Sequence, residues 1–273
     1  MGEKIMLRYD KCNPETINSA VCFVDILGFS KLVQDSFAAG TGNDLLKRIH
    51  KTVTDNIAEL KPREKSIGIL KAFTDNIVIG YPIYQDGEGQ LGSIFLNFAW
   101  YQLSLTLEGF FVRGAVSIGD YYGDDEFAFG PALIEAHYLE SKEAHNPRII
   151  LSDEATKMVN THIGYYGKGL SPQSRDLLKD NLDGKYFINY LEAAMGDRGL
   201  DDYALSFSIL KQHKEIIELN LQKHKDDEDK KIYSKYEWVA QYHNFFSDLN
   251  FETQNSQQLK IDNVQRGNFS QIV

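Results

Sequence analysis

The chain has 273 residues, a formal charge of −10, and 42% hydrophobic and 25% charged residues, the make-up of an ordinary globular protein with room for a real core. A net-negative chain lacks the basic face that nucleic acid wants, no apolar run reaches the roughly 20 residues needed to cross a bilayer, and nothing after Met1-Gly2-Glu3-Lys4 resembles a secretory signal. Cys12 and Cys22, the two cysteines present, make neither a disulfide framework nor a zinc site, so a cytoplasmic setting is expected.

Ala20–Leu27 reads as a buried strand that turns at Gly28, and Phe29 opens a helix that weakens near Gly40-Thr41-Gly42. From Asp44 to Leu60 the apolar residues Leu45, Leu46, Ile49, Val53, Ile57 and Leu60 recur near the helical period, and Pro62 ends the run. Ser66–Phe73 and Asn76–Tyr81 form two β runs joined through Thr74-Asp75 as a hairpin. Leu91–Leu107 is apolar enough for a well-buried helix, Phe110–Ile118 is a strand, and Tyr121–Phe129 is read as its antiparallel partner. Pro131–Lys142 is helical with Pro131 in the first turn, Arg148–Leu151 is a strand, and Ser152 caps a short helix. Beyond Gly164 lie a loop around Ser171-Pro172, an aromatic strand at Gly184–Leu191, amphipathic helices at Leu205–Leu221 and Ile232–Leu249, and a polar tail expected to fray. The order predicts an α+β sandwich, with helices over an antiparallel-rich central sheet and a C-terminal helical extension.

Two aspartates stand in matched settings, Asp25 after Val21-Cys22-Phe23-Val24 and Asp75 after Ile69-Leu70-Lys71-Ala72-Phe73-Thr74. A carboxylate at the mouth of a buried strand is costly unless a cation meets it. Two of them on adjacent strands suit a pair of divalent metals, the arrangement used for phosphoryl and nucleotidyl transfer. Read alone, the same aspartates also serve as caps of local turns. Gly28, Phe29 and Ser30 offer backbone amides at a helix start, where phosphates bind; the bland reading is a glycine turn capped by Ser30. Lys71 and Arg113 each interrupt an apolar run, as a site cation does or as an edge lysine and a structural ion pair would.

Asp25-Ile26-Leu27-Gly28-Phe29-Ser30, Lys71-Ala72-Phe73-Thr74-Asp75, Arg113 with Gly119 six residues later, and Phe129-Gly130-Pro131-Ala132 follow one another in order. Together, over about residues 20–150, they resemble the catalytic domain of class III nucleotidyl cyclases. The resemblance implies a class III cyclase-like sandwich and two Mg2+ or Mn2+ ions per site, held by Asp25, Asp75 and the carbonyl of Ile26. It further implies substrate contacts from Gly28, Phe29, Ser30 and Lys71, a catalytic Arg113, and a homodimer with composite sites between its subunits. The chain departs from the purine cyclases at three positions: Phe127 stands where they read the base, and Ile134 and Tyr138 replace an Asn and a phosphate-steadying Arg. With these departures the chain resembles the bacterial pyrimidine cyclases of Pycsar antiphage defence. That resemblance implies Phe127 and Tyr138 in the base pocket, UTP or CTP as substrate, and a separate effector activated by the cyclic product. An adenylate or guanylate cyclase and a degenerate nucleotide binder are the alternatives. The catalytic domain is expected at 1–195, the helical extension at 196–250 and the tail at 251–273.

Overall fold

The run Ala20–Val24 is apolar at every position, as a strand buried on both faces must be. In the computed structural model, which describes residues 8–60, 68–196 and 203–273, it lies within β1 (Ile17–Ile26) at the middle of the sheet. Gly28, at φ 72°, turns the chain into α1 (Phe29–Ala38), and α2 (Gly42–Leu60) follows. The hairpin of β2 (Ile69–Phe73) and β3 (Asn76–Pro82) leads to α3 (Glu88–Leu107), then β4 (Val112–Gly123) and the short β5 (Ala128–Phe129). Next come α4 (Pro131–Lys142), β6 (Ile149–Leu151) and α5 (Asp153–Ile163), whose first turn is capped by the Ser152 hydroxyl accepting from the Ala155 amide at 3.2 Å. The remaining elements are α6 (Gln173–Asp176), β7 (Leu177–Asp180), β8 (Tyr186–Ile188), a 3-10 turn at Tyr190–Met195, α7 (Tyr203–Lys223), α8 (Lys231–Asn250), α9 (Thr253–Leu259) and β9 (Phe269–Gln271).

The strands form one sheet in the order β2-β3-β1-β4-β6-β8-β7-β9, with β5 attached to β4. Among the described pairings only β4 with β6 is parallel; α4 lies on the connection between them, since a parallel neighbour needs a crossover. The result is an α+β protein with a central, largely antiparallel sheet flanked by helices. Alternate residues of β1 serve two cores. Ala20, Cys22 and Val24 join the main core, which also holds Phe95 and Phe98 of α3, Leu210 of α7 and Trp238 of α8. Val21 and Phe23 pack with Val78, Tyr121, Ala132 and Ala136 beneath α4. The small residues at 132 and 136 let α4 approach the sheet, and the Ser117 hydroxyl donates to the Ala132 carbonyl at 2.6 Å.

Up to β6 the element order is the one expected from sequence, while Pro62 and the start of the Ser66–Phe73 strand lie outside the described residues. Four local expectations are corrected. Tyr121 and Tyr122 continue β4 instead of starting a return strand, because the Asp124 carboxylate accepts the amides of Glu126 and Phe127, both at 2.7 Å, and places the turn there. The Gly184–Leu191 strand stops at Ile188; Asn189, whose side-chain amide donates to the Arg175 carbonyl and whose oxygen accepts from Tyr242, diverts the chain into the 3-10 turn. Leu177–Asp180, within a stretch assigned no element beforehand, is a strand. The tail does not fray: Leu259, Ile261, Phe269 and Ile272 are buried, and β9 pairs with β7.

Candidate active site

Asp25 is the penultimate residue of β1, and the antiparallel register sets it directly opposite Arg113 at the start of β4. Its neighbour Asp75 comes from the β2–β3 hairpin, where Phe73 pairs with Asn76 and leaves a two-residue turn, Thr74-Asp75. Thr74 holds φ 56°, a left-handed conformation that is a real outlier for a β-branched residue. Its hydroxyl lies 2.6 Å from the Phe73 carbonyl oxygen and 2.8 Å from Asp75 Oδ1, which fixes the turn and the carboxylate together. Strain held in this way is typical of functional positions.

The two aspartates converge within hydrogen-bonding reach. Burial, then the hydrogen bond and charge of Asp75, then the charge of Glu140, push Asp25 up to about 8, with Arg113 offsetting part of the rise. In the absence of a cation the Asp25 carboxyl therefore holds its proton well above the usual carboxylate range. Arg113 Nη2 lies 3.5 Å from Asp25 Oδ2, while its Nε lies 2.6 Å from Glu140 Oε1 on α4. That second contact is ionic without being aligned as a hydrogen bond, since neither atom has a hydrogen-bond partner. Burial raises the Glu140 carboxyl against the pull of Arg113. Lys235 of α8 is half-buried, and desolvation together with the Arg113 guanidinium lowers its ammonium pKa. Tyr236 beside it packs edge-on against Phe111, ring centres 5.0 Å apart, so α8 reaches the same end of β4.

The other expected residues fall into two groups. Ile26 follows Asp25 at the strand end, and Leu27 donates to the Phe111 carbonyl at 2.8 Å. Gly28 then caps α1 with no side-chain hydrogen bond, so Ser30 does not cap, and α1 carries no acidic residue in its first turn. The first amides of Phe29 and Ser30 thus start a helix beside the aspartates, at the end whose dipole favours anions. Lys71 pairs with Val78, which pairs with Phe23; alternation puts all three and Asp25 on the α4 side of the sheet, with Lys71 roughly 12 Å from Asp25 by strand spacing. Phe127 and Tyr138 are not brought to the carboxylates in this way. Phe127 lies beyond the far end of β4, roughly 30 Å along the strand from Arg113. It stacks with Phe129 at 6.2 Å over a surface cavity of about 550 Å³ lined also by Lys11 and Tyr122. Tyr138 points outward from α4 and is 54% exposed. Glu140 and Lys235 were not expected from sequence. A glutamate and a lysine on helices read as solvent-facing, and only the small residues at 132 and 136 hint that α4 lies close to the strands.

The donor set fits hard divalent cations. Two carboxylates and a nearby backbone carbonyl are oxygen ligands of the type magnesium and manganese take. Among the described residues no group of three or more His, Cys, Asp or Glu side chains is arranged to hold a metal, so a cation held by the two aspartates would need further oxygen ligands from outside the chain.

No protein-family model matches the chain, and no curated protein matches it. Among solved structures it is similar to a class III adenylyl cyclase-like ATP-binding protein from Pseudomonas aeruginosa, with 15% identity over 56% of this chain and 37% of that one and a TM-score of 0.41. It is also similar to an adenylate/guanylate cyclase/hydrolase from Silicibacter pomeroyi, with 16% identity over 64% of this chain and 95% of that one and a TM-score of 0.37. The chain thus spans little more than a third of the first and nearly the whole of the second. No helix among the described residues is long and apolar enough to cross a membrane.

Proposed function

We propose that this protein is a metal-dependent nucleotidyl cyclase that converts UTP or CTP to the 3′,5′-cyclic nucleotide and pyrophosphate. The observation that carries the reading is the convergence of Asp25 and Asp75, with Arg113 3.5 Å from Asp25. Asp25, Asp75 and the Ile26 carbonyl would hold magnesium or manganese, which would supply Lewis-acid activation of the ribose 3′-hydroxyl and neutralise charge on the triphosphate. The α1 amides of Phe29 and Ser30 receive the outer phosphates. Arg113 offers a fixed fork to the phosphorus undergoing substitution, where preorganised charge contributes most, and Lys235 stands behind it as a second cation. Holding the 3′-hydroxyl and the α-phosphorus in one conformer converts the reaction to a favourable intramolecular one.

The base is read from a second copy. Phe127 lies too far from Asp25 to touch a nucleotide held by the same chain, so we assign it, with Tyr138, to the opposing subunit of a head-to-tail homodimer with two composite sites. Bulky rings at these positions favour a pyrimidine over the larger purine. In keeping with the resemblance to Pycsar cyclases, the cyclic product then serves as a messenger for a separate effector in antiphage defence.

Incubation with all four nucleoside triphosphates at equal concentration and manganese, with cyclic products separated by mass, tests the reading. Cyclic UMP or cyclic CMP should dominate, and Asp25→Ala and Asp75→Ala should each remove at least 95% of turnover while remaining folded. Cyclic AMP or cyclic GMP as the main product refutes the base assignment. Nucleotide binding without any cyclic product identifies the non-catalytic alternative, which the replacement of the phosphate-steadying Arg by Tyr138 favours.

A further inference from the structure

Glu140 is the least expected charge in the molecule. The inward face of α4 carries Ala132, Ala136, Leu139 and Glu140, all buried, and the Glu140 side chain is only 4% exposed. A carboxylate so placed is expensive, and a single contact not aligned as a hydrogen bond repays little of its desolvation. A leucine would pack there at no electrostatic cost. Stability therefore does not account for Glu140; what it does to Arg113 does.

Arg113 and Asp25 are direct cross-strand partners, close enough for a guanidinium and a carboxylate to close into a bidentate pair. They have not done so. Arg113 approaches Asp25 only to 3.5 Å through Nη2, and its Nε is drawn 2.6 Å from Glu140 on the other side. Lys235, on α8, is a like charge felt by the same guanidinium. We infer that Glu140 is a positioning residue, whose carboxylate restrains the Arg113 guanidinium from closing on Asp25 and so leaves the Asp25–Asp75 pair open to a divalent cation. This inference rests on the metal-binding reading of the two aspartates. It extends the site to a third carboxylate that holds no metal itself.

Manganese titration of the full chain by calorimetry, without nucleotide, tests the restraint. Glu140→Gln should weaken manganese binding at least tenfold, because the released guanidinium competes for Asp25. Glu140→Asp, which keeps the charge and shortens the reach by one methylene, should weaken it by a comparable factor. Arg113→Met in the Glu140→Gln background should restore wild-type affinity. Wild-type affinity in Glu140→Asp overturns the inference, since charge alone would then suffice, and so does unchanged affinity in a folded Glu140→Gln protein. Should Glu140→Gln fail to fold, Glu140→Asp and the charge-balanced double variant carry the same comparison. A wild-type protein that binds no manganese overturns the metal reading itself, whereas binding that is equal in every variant overturns only the role of Glu140.

Discussion

At the scale of single residues, the raised Asp25 carboxyl links pH, stability and the proposed metal site. Asp25 titrates near 8 in the folded chain against about 3.9 for a free aspartate, so between those values the native state holds a proton that the unfolded state has lost. Stability contributed by Asp25 is complete below about pH 4 and falls as pH rises through about 8, by up to about 1.4 kcal/mol per pH unit. Denaturant titrations of the metal-free protein at pH 6 and 8 should show this loss, and Asp25→Asn should flatten it. Manganese must displace the same proton, so its affinity should rise about tenfold per pH unit below 8, with proton release detectable in a weakly buffered solution. Thr74 is a second lever. Replacing it with glycine relieves the left-handed strain, worth about 1 kcal/mol, yet frees the hairpin that aims Asp75. Thr74→Gly should therefore leave stability equal or higher while lowering kcat at least tenfold, and an unchanged kcat would separate the strain from the site. Asp25, Asp75 and Arg113 were legible in the sequence because each is a charge that follows or interrupts an apolar run, although the run before Asp75 forms a half-exposed strand. Glu140 was not, since nothing in a helical glutamate announces which strand it will face.

At the scale of elements, the C-terminal helices are fastened by a buried polar chain. Tyr190 in the 3-10 turn meets His213 of α7 at 2.9 Å, His213 meets His243 of α8 at 2.9 Å through their Nδ1 atoms, and His243 Nε2 meets the Leu259 carbonyl at 2.9 Å. A carbonyl only accepts, so His243 carries its proton on Nε2, its Nδ1 accepts from His213, and His213 Nε2 accepts from Tyr190. With both rings neutral all three bonds are satisfied and no charge is buried. Burial lowers both histidines, His243 to about 4 and His213 well below its usual value. Below about pH 6.5 the unfolded chain takes up two protons that the native chain refuses, so stability falls with acid between about 6.5 and 4, by up to about 2.7 kcal/mol per pH unit. His243→Gln should lower the acid-side slope by about 1.4 kcal/mol per pH unit in urea denaturation, and a slope unchanged by the substitution would remove the pair from the account. Fastening of this kind, like the Arg148 ion pairs to Asp180 and Asp183 beneath Trp238, joins residues far apart in the chain. Local periodicity revealed α7 and α8, whose patterns run for twenty residues. It missed β7 and β9, four and three residues long, because strands that short are specified by the partner they meet.

At the scale of the molecule, the two sides of the sheet are unequal. The main core fills one side, whereas beneath α4 lies a cluster of six buried residues. Phe73, Phe127, Phe129, Ile134 and Tyr138 are large apolar side chains left 54–79% exposed, and Ile134 and Tyr138 share one face of α4. In the homodimer proposed above, a second copy laid against that face would cover Ile134 and Tyr138. Ile134→Glu should accordingly yield a folded monomer by sedimentation, with at least a hundredfold less cyclase activity, and a monomeric wild type of full activity would defeat the composite site.

The position of β1 has a consequence for how the protein is made. Residues 17–26 are synthesised before either of their partner strands, yet they occupy the centre of the sheet between β3 and β4. Their partners lie about 60 and 100 residues further along, and each pairing must close a loop of that size before any contact rewards it. This largely apolar strand therefore waits for partners that come later in the chain. Refolding should be slow, on the order of seconds by stopped-flow fluorescence, and its yield should fall with concentration as waiting strands find one another.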